Sequence, residues 1–124
     1  MAYIIISNNP EVKEKYKQTY FIDGISRDVL IKVRDLIHKG YELISHPLPA
    51  SIKTMSSPFR SVILTEEKTS SVDPLQLEVI ENSIQKLDRH IKLNGIDSKH
   101  SDDYKKLDYL FLKSALEESN NLNC

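Results

Sequence analysis

The chain has 124 residues, 40% of them hydrophobic and 28% charged, which argues for one folded domain and against a disordered or membrane-embedded chain. Seventeen Lys and Arg stand against eighteen Asp and Glu, and a net charge of −1 removes the positive field on which sequence-independent nucleic-acid binding depends. The single cysteine, Cys124, allows no internal disulfide and no thiolate metal cluster, and with no neighbouring base it is not read as a redox thiol.

Tyr3–Ser7 is a short, almost uniformly apolar run, the pattern of a strand covered on both faces. Asn9 and Pro10 then mark a helix start, with an amide cap, proline at the first helical position and Glu11 in the first turn. A second strand is expected at 20–22, closed by an Asp23-Gly24 turn. Ser26 is the expected cap of the next helix, whose Val29, Leu30, Val33, Leu36 and Ile37 share one face of a 3.6-residue period and which Gly40 stops. Third and fourth strands are expected over 41–45 and 60–65. Asp73 and Pro74 open a helix, with Gln76 as capping-box partner and Leu77, Ile80, Ile84, Leu87 and Ile91 as an apolar stripe read as core. A last helix starts at Ser101 and is expected to pack Leu107, Leu110 and Phe111 inward, leaving 117–124 as a polar, flexible tail.

Strand–helix–strand–helix–strand over the first 45 residues points to right-handed crossovers. The expected fold is therefore an α/β three-layer sandwich in one domain, 1–116, with a mostly parallel four-stranded sheet. The fourth strand is a candidate antiparallel edge, since no helical pattern precedes it. The two C-terminal helices would cover a sheet face, or one would serve a homodimer.

Ligands of open α/β sheets bind at the carboxyl ends of strands, and two segments lie there. One is the turn holding Asn8 and Asn9. The other, 46–60, holds three of the five prolines, four Ser or Thr hydroxyls and the cationic or titratable His46, Lys53 and Arg60, with no acid. Stiff backbone, hydroxyls and cations suit a carboxylate or phosphate. The candidate ligand-binding residues are thus Asn8, Asn9, His46, Ser51, Lys53 and Arg60. Each also has an ordinary reading, Asn9 as a helix cap above all. Three glycines, at 24, 40 and 95, exclude dinucleotide and P-loop fingerprints, and the histidines lack zinc-like spacing, so neither cofactor nor metal is expected.

No stretch approaches the ~20 apolar residues of a membrane span, and the opening apolar run is too short for a signal peptide, so a cytoplasmic protein is expected. Charge is uneven along the chain, with nine cations and six acids in residues 1–65 and eight cations and twelve acids beyond, a lever for steering or self-association.

Asn8-Asn9-Pro10, the helix end from Val33 to Gly40, His46-Pro47-Leu48, Ser51-Ile52-Lys53 and Pro58-Phe59-Arg60-Ser61, in that order and spacing, resemble the GrdX family over about residues 4–92. The chain departs from that pattern at Pro49-Ala50, where small residues including glycine are expected. The resemblance implies a small accessory protein encoded with glycine reductase and the related betaine and sarcosine reductases, and not one of their catalytic subunits. Its partners would be reductase subunits or a small anionic metabolite. The alternative is a small enzyme acting on a phosphorylated or carboxylated metabolite, with His46 as general acid/base.

Overall fold

The computed structural model describes residues 2–49 and 51–122; Ala50 and Cys124 lie outside the described residues. The chain runs β1 (Tyr3–Ser7), α1 (Pro10–Lys15), β2 (Thr19–Phe21), α2 (Ser26–His38), a 3-10 helix (Ile52–Ser56), β3 (Ser61–Thr65), α3 (Pro74–Asn94) and α4 (Ser101–Leu122).

β1 is apolar up to its last residue, Ser7, because it is the central strand with both faces covered. Ile6, with Val62 and Leu64 of β3, packs under α2 and α3 against Val29, Leu30, Val33, Ile80, Ile84 and Leu87. Ile5 and Ile63 point the other way, to Val12 of α1 and to Leu112 and Leu116 of α4. The period of two thus divides one strand between two cores, giving three layers. The two C-terminal helices do not share a sheet face: α3 joins α2 on one side and α4 joins α1 on the other.

The expected four-stranded, mostly parallel sheet is corrected to a three-stranded mixed sheet in the order β2-β1-β3. β1 and β2 are parallel, with Ile5 opposite Thr19, whereas β1 and β3 are antiparallel, with Ser7 opposite Ser61. The segment 41–45 runs beside β3 but forms a single bridge, Leu43 with Leu64. Being antiparallel to β3, it runs in the direction of β1, as a crossover demands, yet β3 is inserted between them. Side chains break its ladder. The Leu43 amide donates to Gln76 Oε1 at 2.7 Å and the Glu42 amide to Thr65 Oγ1 at 3.0 Å. Gln76 is thereby unable to return to its own cap, so Asp73 caps α3 alone, accepting from the Leu75 amide at 2.9 Å.

α2 begins at Ser26 itself, with Ile25 in the cap position. The Asp28 carboxylate accepts from the Ile25 amide at 2.8 Å, replacing the expected serine cap, while Ser26 Oγ is buried without a hydrogen-bond partner. The helix closes as read, in a Schellman turn: the Gly40 amide donates to Ile37 and the Tyr41 amide to Leu36, with Gly40 at φ 105°.

α4 carries the largest misreading. Its buried residues are Asp108, Leu112 and Leu116, whereas Leu107, Leu110 and Phe111 are exposed. The helix is apolar on two sides, and Asp108 decides which side is inside by hydrogen bonding into the core edge. It also remains helical to Leu122, through the stretch expected as a tail from 117. Among the described residues no helix is long and apolar enough to cross a membrane.

Candidate functional site

The Asn8/Asn9 turn and the end of the 46–60 segment do meet on one rim, because Ser7 pairs with Ser61 across β1 and β3. The contact is direct. Asn8 Nδ2 donates to Gly24 O at 2.9 Å and to Pro58 O at 2.7 Å, and Asn8 Oδ1 accepts from the Arg60 amide at 2.9 Å. All of the donors and an acceptor of this buried amide are engaged in tying three backbone segments together. Asn9 is equally committed. Its Oδ1 caps α1 through the Glu11 amide at 3.1 Å, and its Nδ2 donates to Lys105 O at 2.8 Å and Asp108 Oδ2 at 3.0 Å. The side-chain amides expected to hold a ligand hold the fold.

Behind them runs a closed polar ring. Ser61 Oγ donates to Asp108 Oδ2 at 2.6 Å, so in the 2.7 Å contact between the two serines the proton on Ser7 Oγ points at Ser61. The Asn9 amide donates to Ser7 Oγ at 3.0 Å. Asn9, Ser7, Ser61 and Asp108 therefore link α1, β1, β3 and α4 through bonds that converge on one carboxylate oxygen, leaving a 5% exposed acid hydrogen-bonded.

Arg60 is different. Its backbone is held by Asn8, but its Nε is fully enclosed with no hydrogen-bond partner, and the side chain makes no ion pair among the described residues. Burial pushes the guanidinium below the usual arginine value, and the nearby Asp108 charge opposes that push. A guanidinium stays charged across the physiological range, so Arg60 is a half-buried cation with no ion-pair partner among the described residues. Two small cavities adjoin it. One, about 10 Å³, lies among Thr54, Ser57, Phe59, Tyr104, Leu107 and Phe111. The other, about 40 Å³, lies among Ser45, Ser61, Asp108, Leu112 and Ala115. A water needs roughly 10–15 Å³ of such space, so neither encloses a metabolite.

The remaining candidates are dispersed. His46 is exposed and its Nδ1 accepts from the Leu48 amide at 3.0 Å. It lines an open pocket of about 280 Å³ with Ser45, Ala115 and Glu118. That pocket shares the Ser45 and Ala115 walls with the cavity beside Arg60. Ser51 caps the 3-10 helix by accepting from the Lys53 amide at 3.3 Å, and both residues are exposed. The rim thus unites Asn8, Asn9 and Arg60, sets His46 in the adjoining pocket and leaves Ser51 and Lys53 apart.

Asp108 is the residue that sequence reasoning missed. A signal was present in Leu112 and Leu116, four and eight positions after Asp108, with Ala115 beside them. That face competes in apolar content with the Leu107, Leu110 and Phe111 face.

The family model described as GrdX-like protein matches residues 4–117, nearly the whole chain. The chain belongs to the GrdX-like protein family. No match is found among curated proteins or among solved structures. The match reaches well into α4, past the point where the quoted motifs of this GrdX-like protein end. Among its described residues, no three His, Cys, Asp or Glu side chains are grouped so as to hold a metal ion.

Proposed function

We propose that this GrdX-like protein is a non-catalytic, cytoplasmic accessory protein of the glycine reductase system, and that Arg60 anchors a carboxylate presented by a reductase subunit. The observation that carries the reading is Arg60, a half-buried arginine whose Nε is enclosed without a hydrogen-bond partner, beside Phe59 and Phe111. The adjoining cavities, about 10 and 40 Å³, are too small to sequester a free metabolite such as acetyl phosphate. An acid carried on a polypeptide can instead reach Arg60 from the surface while its neighbours cover Phe111, which is 47% exposed. Arginine suits this role because its planar fork pairs with both oxygens of a carboxylate.

Calorimetric titration of the protein with purified reductase subunits, glycine and acetyl phosphate tests the reading. Binding to a subunit that Arg60→Gln weakens about tenfold or more, with the fold intact by circular dichroism, is the expected result. Unchanged affinity in that variant, or no subunit binding by the wild type, sinks it.

The enzymatic reading has one observation in its favour. α4 brings Glu118 to the pocket of His46, a carboxylate that neither sequence segment supplies. Turnover of a phosphorylated or carboxylated metabolite that disappears in His46→Ala would establish it in place of the accessory reading.

A further inference from the structure

The 3-10 helix carries a second feature, apart from Arg60. It packs along α3, where Ser56 Oγ lies 2.8 Å from His90 Nε2. Between Ile52 and Met55 on one side and Lys86, Arg89 and Leu93 on the other runs an open groove of about 290 Å³. Ile52 is 71% exposed and Leu93 75%, so the apolar walls are bare. A small molecule here would stay largely in water, whereas small-molecule sites bury about 70–90% of their ligand. The openness suits a polypeptide.

Charge narrows the occupant. Two of the three acids of α3 turn toward α2, Asp88 to Arg27 at 2.7 Å and Glu81 to Arg34 at 3.5 Å, and the third, Glu78, does not line the groove. Lys86 and Arg89 make no ion pair among the described residues, nor does exposed Lys53 on the 3-10 helix, and no carboxylate lines the groove. Positions 86, 89 and 93 share a helix face over about 10 Å of α3, the length of two turns.

We propose that this groove docks an acidic amphipathic helix of a partner protein. The helix's apolar side chains lie between Ile52 and Leu93, and its carboxylates meet Lys86 and Arg89. Helix-in-groove recognition of this kind reads apolar anchors at i, i+3, i+4 and i+7, with flanking charge setting the choice of partner. The surface is independent of the Arg60 site and stands or falls separately from the function proposed above.

The test uses the full chain and two fluorescein-labelled helical peptides of about three turns. Both carry Leu at i, i+3, i+4 and i+7, flanked by Glu in one and by Lys in the other. Anisotropy is expected to show the Glu peptide binding at least tenfold tighter than its Lys twin, with affinity falling as salt rises. The double variant Lys86→Glu, Arg89→Glu should reverse the preference, Leu93→Ser should weaken binding severalfold, and Lys113→Gln, at an exposed lysine of α4, should change nothing. All four positions of the groove variants and controls can be checked for folding by circular dichroism. Equal binding of the two peptides, no binding of either, or indifference to the charge reversal overturns the proposal. So does sedimentation showing self-association that Leu93→Asp abolishes, because the occupant is then a second copy of the chain.

Discussion

Asn8 provides the sharpest separation between a ligand-binding and a fold-building amide. Replacing it with alanine removes three hydrogen bonds, to Gly24 O, Pro58 O and the Arg60 amide, at 2.9, 2.7 and 2.9 Å. A net contribution of about 0.5–1.5 kcal/mol per bond gives a loss of roughly 2–4 kcal/mol, at the upper end if the freed groups stay dry. Against a total stability on the order of 5–15 kcal/mol that is a large fraction, and the melting temperature should fall by roughly 10 °C. Asn8→Asp is the informative companion. It keeps an acceptor for the Arg60 amide but sets carboxylate oxygens against two carbonyl oxygens. It should therefore cost at least as much as alanine at neutral pH and recover partly in acid. Urea unfolding followed by circular dichroism measures all three proteins. A loss under about 0.5 kcal/mol in Asn8→Ala, or an aspartate variant clearly more stable than the alanine one, would refute the structural reading.

Three further outcomes follow from the same geometry. Leu112→Ala should destabilise by about 2–5 kcal/mol and Leu110→Ala by less than about 0.5 kcal/mol in the same urea assay, since Leu112 is buried and Leu110 is 44% exposed. Gly40→Ala should cost roughly 1–3 kcal/mol or more, because φ is 105° and a Cβ would strike the Thr69 carbonyl. The exposed His100 and half-buried Asp97 side chains, 2.8 Å apart, raise the histidine pKa above 6.5 and lower the aspartate below 3.8 through their mutual hydrogen bond. The histidine's contribution is full below its ordinary value and lost as pH rises through the raised one; the aspartate's is present above its ordinary value and lost as pH falls through the depressed one. An NMR titration should show the His100 midpoint dropping in Asp97→Asn.

A shared rim for Asn8, Asn9 and Arg60 was expected from two segments at strand ends, but the pairing that joins them, Ser7 with Ser61 across β1 and β3, came from the tertiary structure. The chemistry of that rim was not legible in the sequence. An asparagine in a turn reads the same whether its amide faces a ligand or three backbone groups. The groups that satisfy Asn8 lie 16, 50 and 52 positions away. Hydrogen-bond partners at such separations leave no local trace.

Local physics written in the sequence set the helix signals at Asn9, Asp73 and Gly40, the α2 and α3 core stripes and the two-faced β1, because caps, periodicity and turn chemistry act within a few residues. Tertiary structure alone settled where β3 enters the sheet, why 41–45 forms only a bridge and which face of α4 is buried. In the last two of these a distant polar partner is engaged: Gln76 on the Leu43 amide, and Ser61 with Asn9 on Asp108. Burying a polar group unpaired costs more than turning a helix or interrupting a ladder, so those long-range bonds prevailed.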